Sequence, residues 1–280
     1  MELGDNQYGK AEVRLVRVDR DTDEHRLTDL TVTTTLAGDL AATHLTGDNA
    51  GVLPTDSQKN TVYAFARDGI GEIEDFALRL ARHFVGTAPS ITRARVRVDQ
   101  HAWERVGGHS FARGAGTRTA TAAVSDQGEW VVSGVEDLVL LNTTGSEFHG
   151  FHRDEYTTLA ETSDRILATA VSARWRHSAP TDWSLSYTAA HAALLGAFAS
   201  THSLSLQQTL YAMGEKVIES GSTIDEVRLS LPNKHHFLVD LAPFGLDNPG
   251  EVFYAADRPY GLIEGSVRRP GASDPGLAWW

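Results

Sequence analysis

Residues 69–98, GIGEIEDFALRLARHFVGTAPSITRARVRV, change their hydrophobic period part-way along, and this change decides the fold class. In the first part, apolar side chains recur three and four residues apart, as they do from Ile73 to Phe84, which is the spacing of one helix face. In the second part, residues 91–98 alternate apolar and mostly basic side chains, which is typical of a strand with one buried face. The stretch therefore predicts a helix followed directly by a half-buried strand.

Around that stretch, hairpins are followed by helices in both halves of the chain. We predict strands at residues 11–16, 30–40, 62–66, 91–98, 117–124, 130–132, 134–141, 227–231, 237–241, 252–256 and 261–267. We predict helices at residues 69–85, 156–171, 189–200 and 205–218. This order favours an α+β fold with antiparallel sheets. We expect two domains, residues 1–130 and 131–280, and a tail after residue 268 that extends from the core.

Composition excludes several classes of function. The chain has no cysteine, which removes disulfides, thiolate metal sites and cysteine nucleophiles. Its formal net charge of −12 disfavours nucleic acid as a partner, because phosphates repel an acidic protein. No run approaches the roughly 18 apolar residues of a membrane helix, and the first residues do not form a signal peptide. We therefore expect a cytoplasmic protein with neither a membrane nor a nucleic-acid partner.

Four polar clusters are candidates for a site, and each also has an ordinary structural explanation. They are residues 8–10, 55–60, 148–165 and 231–237. Lys10 in the first cluster could be a solvated lysine at the mouth of a strand. The second cluster could be a capped turn before a strand, and the fourth could be an edge-strand turn at Pro232. The third is unusually dense in aromatic, histidine and charged side chains for a surface loop.

Most common catalytic chemistries find no support in the sequence. His149 and His152 are three residues apart, but no HExxH helix frames them, so we do not predict a metal site. The chain has no GxSxG elbow, no GxGxxG after a strand and no Walker loop. What remains is acid–base chemistry by Lys and His, with an aromatic side chain and an Arg to hold a planar anion.

Five strings of residues, taken in this order, resemble the urate oxidase (uricase) family, of bacterial type. They are YGK from Tyr8, TDSQKNTVYAFA from Thr55, GSEFHGFHRDEYTTLAETSDRILAT from Gly145, QQTLYAMGE from Gln207 and LPNKHHFLVDLAPFGLDNPGEVFYAADRPYGLIEGSV from Leu231. The resemblance extends from Asn6 to about Arg269. It implies a tandem pair of T-fold domains, in which antiparallel sheets are backed by helices. It also implies a homotetramer with active sites at the subunit interfaces.

The resemblance implies an activity and assigns roles to particular residues. The activity is oxidation of urate by O2 and water to 5-hydroxyisourate and hydrogen peroxide, with no metal or organic cofactor. The implied catalytic residues, which relay protons, are Lys10, Thr55 and His235. The implied substrate-binding residues are Thr55, Asp56, Phe148, Arg165, Leu206, Gln207 and Asn233. Thr55 and Asp56 would come from a different subunit than Arg165 and Gln207, so that the site exists only in the assembly.

Two other functions stay open at this point. One is a different T-fold enzyme that acts on a pterin or a purine, although relatives that bind zinc through Cys and His are disfavoured by the lack of cysteine. The other is a urate-binding protein that has kept the fold and lost turnover. The presence of Lys10, Thr55 and His235 argues against that loss. We also expect Trp279 and Trp280 to pack on a neighbouring chain, because two adjacent indoles are rarely fully exposed.

Overall fold

A computed structural model describes all 280 residues of the chain. The strands are β1 (Tyr8–Asp19), β2 (Arg26–Gly38), β3 (Ile91–Gly107), β4 (Ser110–Ser125), β5 (Gly128–Asn142), β6 (Leu167–His177), β7 (Ile224–Asn233), β8 (His236–Leu238), β9 (Phe253–Ala255) and β10 (Gly261–Arg268). The helices are α1 (Ala41–Leu45), α2 (Thr55–Arg67), α3 (Ile73–Thr87), α4 (Trp183–Ser200) and α5 (Leu206–Glu219), with a short 3-10 turn at Ala242–Phe244. None of these helices has the combination of length and hydropathy that a membrane span requires.

One antiparallel sheet of eight strands organises the molecule, in the order β1-β2-β3-β4-β5-β6-β7-β10, and β8 and β9 form a separate hairpin. The four long helices divide the strands into two similar units. In the first unit, β1 and β2 are followed by α2 and α3 and then by β3 and β4. In the second, β5 and β6 are followed by α4 and α5 and then by β7 and β10. The expected α+β fold with antiparallel strands is confirmed.

Each unit has its own hydrophobic core on the helix side of the sheet. A cluster of 23 buried residues lies mainly beneath α2 and α3, and a cluster of 20 lies beneath α4 and α5. At roughly 1.5–3 kcal/mol for each large apolar side chain buried, these clusters are the main source of stability. Two cores support the division into residues 1–130 and 131–280 as domains, which we keep as a proposal because the sheet continues through β5.

The opposite face of the sheet is polar. Along β3, Ala94, Val96 and Val98 are buried beneath helices while Arg93, Arg95 and Arg97 lie on the other face, as the alternation predicted. The chain's last residues cross this polar face. Trp280 lies over Arg95 at 5.2 Å and Trp279 over Arg228 at 4.0 Å. Guanidinium groups of their own sheet therefore hold both indole rings. That the two tryptophans also pack on a neighbouring chain stays a prediction.

Three local predictions need correction. Residues 55–66, expected as a turn and a strand, are helical, because Gln58, Val62 and Ala66 form one buried helix face. Residues 156–171, expected as helix, are irregular up to Ile166 and then form the start of strand β6. The side chains of Asp154 and Thr157 bond each other and nearby main-chain N–H groups, in competition with helix formation. The two strands expected at residues 130–132 and 134–141 are one strand, β5.

Candidate active site

Lys10 lies on β1 where the backbone is held very close to β2. A Cβ at Gly9 would lie 1.8 Å from the carbonyl oxygen of Thr34, so this position accepts only glycine. The main-chain N–H of Lys10 donates to the hydroxyl of Thr34 at 3.2 Å, and the strand register shifts directly after Lys10. A bulge of this kind re-aims the side chain at the edge of a sheet. The backbone conformation of the YGK string therefore positions one partly buried lysine side chain.

Hydrogen bonds from the side chains of Tyr8 and Thr34 fix the start of α2 beside Lys10. The hydroxyl of Tyr8 donates to the carbonyl of Leu53 and accepts from its N–H, at 3.1 and 3.0 Å. The hydroxyl of Thr34 donates to the side-chain oxygen of buried Gln58 at 2.7 Å. These contacts hold Thr55, the first residue of α2, on the same side of β1 as Lys10.

Asp56 follows Thr55 at the exposed N-terminus of α2. The pKa of Asp56 is lowered mainly by Lys59, which donates to its carboxylate at 2.6 Å, and also by Asn60 and Lys10. The effect of Lys10 indicates that its ammonium group lies near this helix end. The structure thus brings Lys10, Thr55 and Asp56 together within one chain, and we name them the relay cluster.

A second group of residues assembles around the loop between β5 and β6. The main chains of Phe148 and Thr162 bond each other at 2.9 and 3.1 Å, which closes the loop. Arg165 donates to the hydroxyl of buried Ser146 at 3.2 Å, and its guanidinium lies 5.2 Å from the centre of the Phe148 ring. Burial lowers the pKa of Arg165, and no neighbouring carboxylate contributes to the shift. Arg165 is thus a partly buried cation without an internal anionic partner.

The N-terminus of α5 lies beside this loop. The N–H of Glu147 donates to the carbonyl of Ser203 at 2.7 Å, which ties the loop to the segment before the helix. Ser205 caps the helix by accepting from the N–H of Gln208 at 3.1 Å. Leu206 is the first residue of α5, where main-chain N–H groups have no partner within the helix. Gln207 is exposed beside it. This helix end therefore offers free donors at its positive pole.

The end of β7 completes the second group. Asn233, its last residue, pairs with Thr169 on β6 and Gly261 on β10. Two residues further, burial lowers the pKa of the His235 imidazole, and the charges of Arg165 and His236 add to the effect. His235 therefore lies within the electrostatic reach of Arg165. We name Phe148, Arg165, Leu206, Gln207, Asn233 and His235 the clamp cluster.

Sequence reasoning missed two residues of this region. Ser146 is fully buried and orients Arg165, and Thr169 is fully buried beside Asn233 with a hydroxyl that has no hydrogen-bond partner. Both lie in the string that begins at Gly145. A small polar residue between charged or apolar neighbours gives no periodic signal, so only the folded loop reveals their positions.

The sheet register separates the two clusters. Across five strand pairs, Lys10 lies level with Thr34, Val96, Ala122, Val131 and His177. Five strand spacings amount to about 24 Å. Thr169, beside Asn233, lies eight residues before His177 on β6, a further 26 Å or so along the strand. The relay and clamp clusters therefore lie at opposite corners of the sheet, and a single chain does not bring them together.

Histidine and carboxylate groups do not gather into a metal centre. No cluster of three or more His, Cys, Asp and Glu side chains has a geometry that could hold a metal ion. His149 instead contacts the carboxylate of Glu147 at 2.8 Å, and His202 contacts its other oxygen. His152 is exposed and takes no part in this contact.

Two repeated strand-strand-helix-helix-strand-strand units in one antiparallel sheet, with polar clusters at strand and helix ends, define a tandem T-fold protein. A family model described as Uricase matches residues 6–127 and 131–264. The uricase of Arthrobacter globiformis is 56% identical over 281 residues, covering 99% of this chain and 93% of the relative. The uricase of Dictyostelium discoideum is 38% identical, covering 95% and 97% of the two chains. This chain belongs to the uricase family.

Solved structures agree. The crystal structure of the Arthrobacter globiformis uricase superposes with a TM-score of 0.96 at 55% identity, covering 100% of this chain and 99% of that one. A uricase from Bacillus fastidious superposes with a TM-score of 0.81 at 22% identity, which shows the fold alone. The predicted family and the tandem T-fold are both confirmed.

Proposed function

We propose that this chain oxidises urate with O2 and water to 5-hydroxyisourate and hydrogen peroxide, in purine breakdown, and that it needs no metal or organic cofactor. The observation that carries the proposal is the environment of Arg165. This residue is a partly buried guanidinium with no anionic partner of its own, and it lies against an aromatic ring. A flat anion supplies what this arrangement lacks, because it can pair with the charge and stack on Phe148.

The clamp cluster suits the edge of urate. A guanidinium presents a planar fork of donors, which a lysine could not reproduce. Gln207 offers both a donor and an acceptor, and the main-chain N–H of Leu206 offers a further donor at the positive end of α5. We assign to the side-chain amide of Asn233 the role of holding oxygen or water near the ring. We infer that these residues fix the orientation of urate and exclude alternative orientations.

The relay cluster suits proton transfer. Oxygen chemistry usually draws on a metal or a flavin, but deprotonated urate is itself electron-rich enough to reduce O2. The protein then has to take protons from urate, pass them on and hold the reactants in place. We assign the first transfers to Lys10 and Thr55, and onward transfer to His235. Its lowered pKa keeps the imidazole neutral at physiological pH, so that it is ready to accept a proton.

The separation of the clusters supports a site shared between two copies of the chain. In this proposal, Thr55 and Asp56 of one copy meet Arg165 and Gln207 of another, and the assembly is the homotetramer that the family resemblance implies. Urate and O2 are the small-molecule partners. We place the enzyme in the cytoplasm, which is compatible with a chain that contains no cysteine.

The experiment is a turnover assay on chelator-treated protein whose metal content has been measured. We expect loss of urate absorbance and release of one peroxide for each urate, with activity independent of added metal ions. Arg153→Ala, in the same loop as Phe148, is the matched control and should stay active. Urate binding without peroxide release would contradict the proposal and would favour a urate-binding protein. Activity that returns only with a metal would contradict the cofactor-free reaction.

A further inference from the structure

The clamp cluster draws its binding groups from two separate segments of the chain. Phe148 and Arg165 belong to the loop between β5 and β6, whereas Leu206 and Gln207 belong to the start of α5. A flat ligand that stacks on Phe148 and accepts from the N–H of Leu206 has to contact both segments at once. The orientation of the loop relative to α5 therefore decides how well the clamp fits such a ligand.

An isolated main-chain bridge joins these two segments. It pairs Ser146 in the loop with Ser203, which lies just before α5. The N–H of Glu147 donates to the carbonyl of Ser203 at 2.7 Å, and the N–H of Ser203 donates to the carbonyl of Gly145 at 2.9 Å. Because no further strand pairs flank it, this bridge fixes the segments at one point and leaves the loop able to turn about that point.

The side chain of Glu147 adds a second connection beside this bridge. One carboxylate oxygen contacts the imidazole of His149, in the loop, at 2.8 Å, and the other contacts the imidazole of His202, in the segment before α5. Bonds from His202 and then from His149 lower the pKa of Glu147, which keeps the carboxylate ionised. Glu147 and His149 flank Phe148, and alternate residues of an extended chain share a face, so Phe148 points to the opposite side.

These contacts lie at the surface. The side chains of His149 and His202 are 55% and 60% exposed, and that of Glu147 is 20% exposed. Ion pairs with this exposure add little to the stability of a fold. What they can influence is local, namely the angle at which the loop carries Phe148 past the start of α5.

We propose that Glu147 and His202 are positioning residues of the clamp cluster, because their contact sets the orientation of Phe148 relative to the N-terminus of α5. Neither side chain has to touch urate. When the contact is broken, the loop turns about the bridge between Ser146 and Ser203, and urate has to restore the orientation as it binds. The inference rests on the proposed function, since it takes urate to be the ligand that contacts both segments.

The test compares KM and kcat for urate in paired variants of His202. His202→Ala removes the imidazole, and we expect KM to rise about three- to fivefold while kcat changes less than about twofold. His202→Gln returns an N–H donor close to the position of Nε2 and should restore most of the wild-type KM. His152→Ala, at an exposed histidine of the same loop that does not contact Glu147, is the matched control and should behave as wild type.

Glu147→Ala tests the other half of the contact. It should raise KM as His202→Ala does, and the double variant should go no further than either single one, because both changes remove the same contact. The thermal unfolding midpoint and the mass in solution should stay close to those of wild type, which separates positioning from a general structural role. If Glu147→Ala proves unfolded, the two His202 variants decide the matter.

Several results would overturn the inference. They are an unchanged KM in His202→Ala, a His202→Gln variant no better than His202→Ala, and a fall in kcat and in the thermal midpoint without a change in KM. Anaerobic calorimetry of urate binding gives the Kd of the same variants, which tests the positioning role without turnover. A wild type that binds urate and releases no peroxide would therefore overturn only the proposed function, whereas a wild type that does not bind urate would overturn both.

Discussion

The relay and clamp clusters differ in how their charges are balanced within the chain. In the relay cluster, Asp56 is bonded to Lys59 at 2.6 Å and to Asn60 at 2.9 Å. In the clamp cluster, Arg165 has only a serine hydroxyl and an aromatic ring. The carboxylate of Asp56 thus has partners within the chain, whereas the guanidinium of Arg165 lacks an anionic partner. The difference indicates that Arg165, the cation that awaits an anion, and Lys10, the first proton-transfer residue, lie on two separate surfaces, so that their roles can be tested separately.

Changing Lys10→Met should have the largest effect. The methionine keeps most of the side-chain length and removes the proton-accepting amine, so we expect kcat to fall about 100- to 10,000-fold. Urate affinity, measured by calorimetry without oxygen, should change little, because the clamp cluster is intact. Lys59→Met is the matched control, since Lys59 is a neighbouring lysine that only pairs with Asp56. Equal losses in both variants would show a general charge effect instead.

Arg165→Ala should weaken the binding of urate. It removes the cation that pairs with urate, and we expect a loss of about 2–5 kcal/mol in binding free energy, measured by anaerobic calorimetry. Arg153→Ala lies in the same loop and should bind normally. Intact affinity in Arg165→Ala would contradict the assignment of the clamp.

Mixing these two variants sharpens the comparison. A shared site can combine the relay cluster of an Arg165→Ala chain with the clamp cluster of a Lys10→Met chain. In randomly reassembled one-to-one oligomers, about a quarter of the sites would then be intact, and activity should return to that level. If each site belonged to a single chain, no site in the mixture would be intact and the activity would stay at background.

Strict alternation and helical spacing made much of the fold predictable. Residues 91–98 form a strand as expected, since each apolar residue from Ala94 to Val98 is buried. Helix α2 was missed, because its buried face includes Gln58, whose polar side chain looks like that of a surface residue. Its burial depends on the bond from Thr34, which is 24 positions away in sequence. Local pattern cannot encode such a partner.

The site was predictable only in part, for a similar reason. Residue types pointed to acid–base work and to a planar anion, and the family resemblance supplied urate and the roles of individual residues. The bond between Ser146 and Arg165 depends on a loop closed by main-chain pairing of Phe148 with Thr162. That closure has no sequence signature. The separation of Lys10 from the clamp cluster also required the sheet register.

A buried polar network joins the two units and should control stability at acid pH. The hydroxyl of Ser133 donates to Glu74 at 2.7 Å and contacts His177 at 3.0 Å. Burial lowers the pKa of His177 from 6.5 to about 4, which keeps the imidazole neutral in the folded state. Below pH 6.5 the unfolded chain therefore binds a proton that the folded chain does not. Stability from this group is complete above pH 6.5 and is lost as pH falls toward 4.

The loss amounts to about 3 kcal/mol for a shift from 6.5 to about 4. Burial raises the pKa of Glu74, which has the opposite sign, so the comparison must be made between variants. We expect His177→Gln to lose less unfolding free energy than wild type between pH 7 and pH 4, measured by urea denaturation. His152→Gln, at an exposed histidine, should follow wild type. Parallel acid losses in all three proteins would rule out His177 as the cause.

The smallest effect should link the two clusters through His235. Its pKa is lowered first by burial and then by the charges of Arg165 and His236. A neutral imidazole therefore persists to lower pH than in an ordinary histidine. In the pH profile, kcat/KM should accordingly fall only at a lower pH on the acid side, which is the acid limb of the profile. Arg165→Gln removes one of the opposing charges, so the pKa of His235 should rise and the acid limb should move to higher pH. Arg67→Gln, an exposed arginine at the opposite end of α2 from Asp56, should leave the pH profile unchanged. A limb that does not move in Arg165→Gln would mean that another group sets it, and that His235 does not relay the proton.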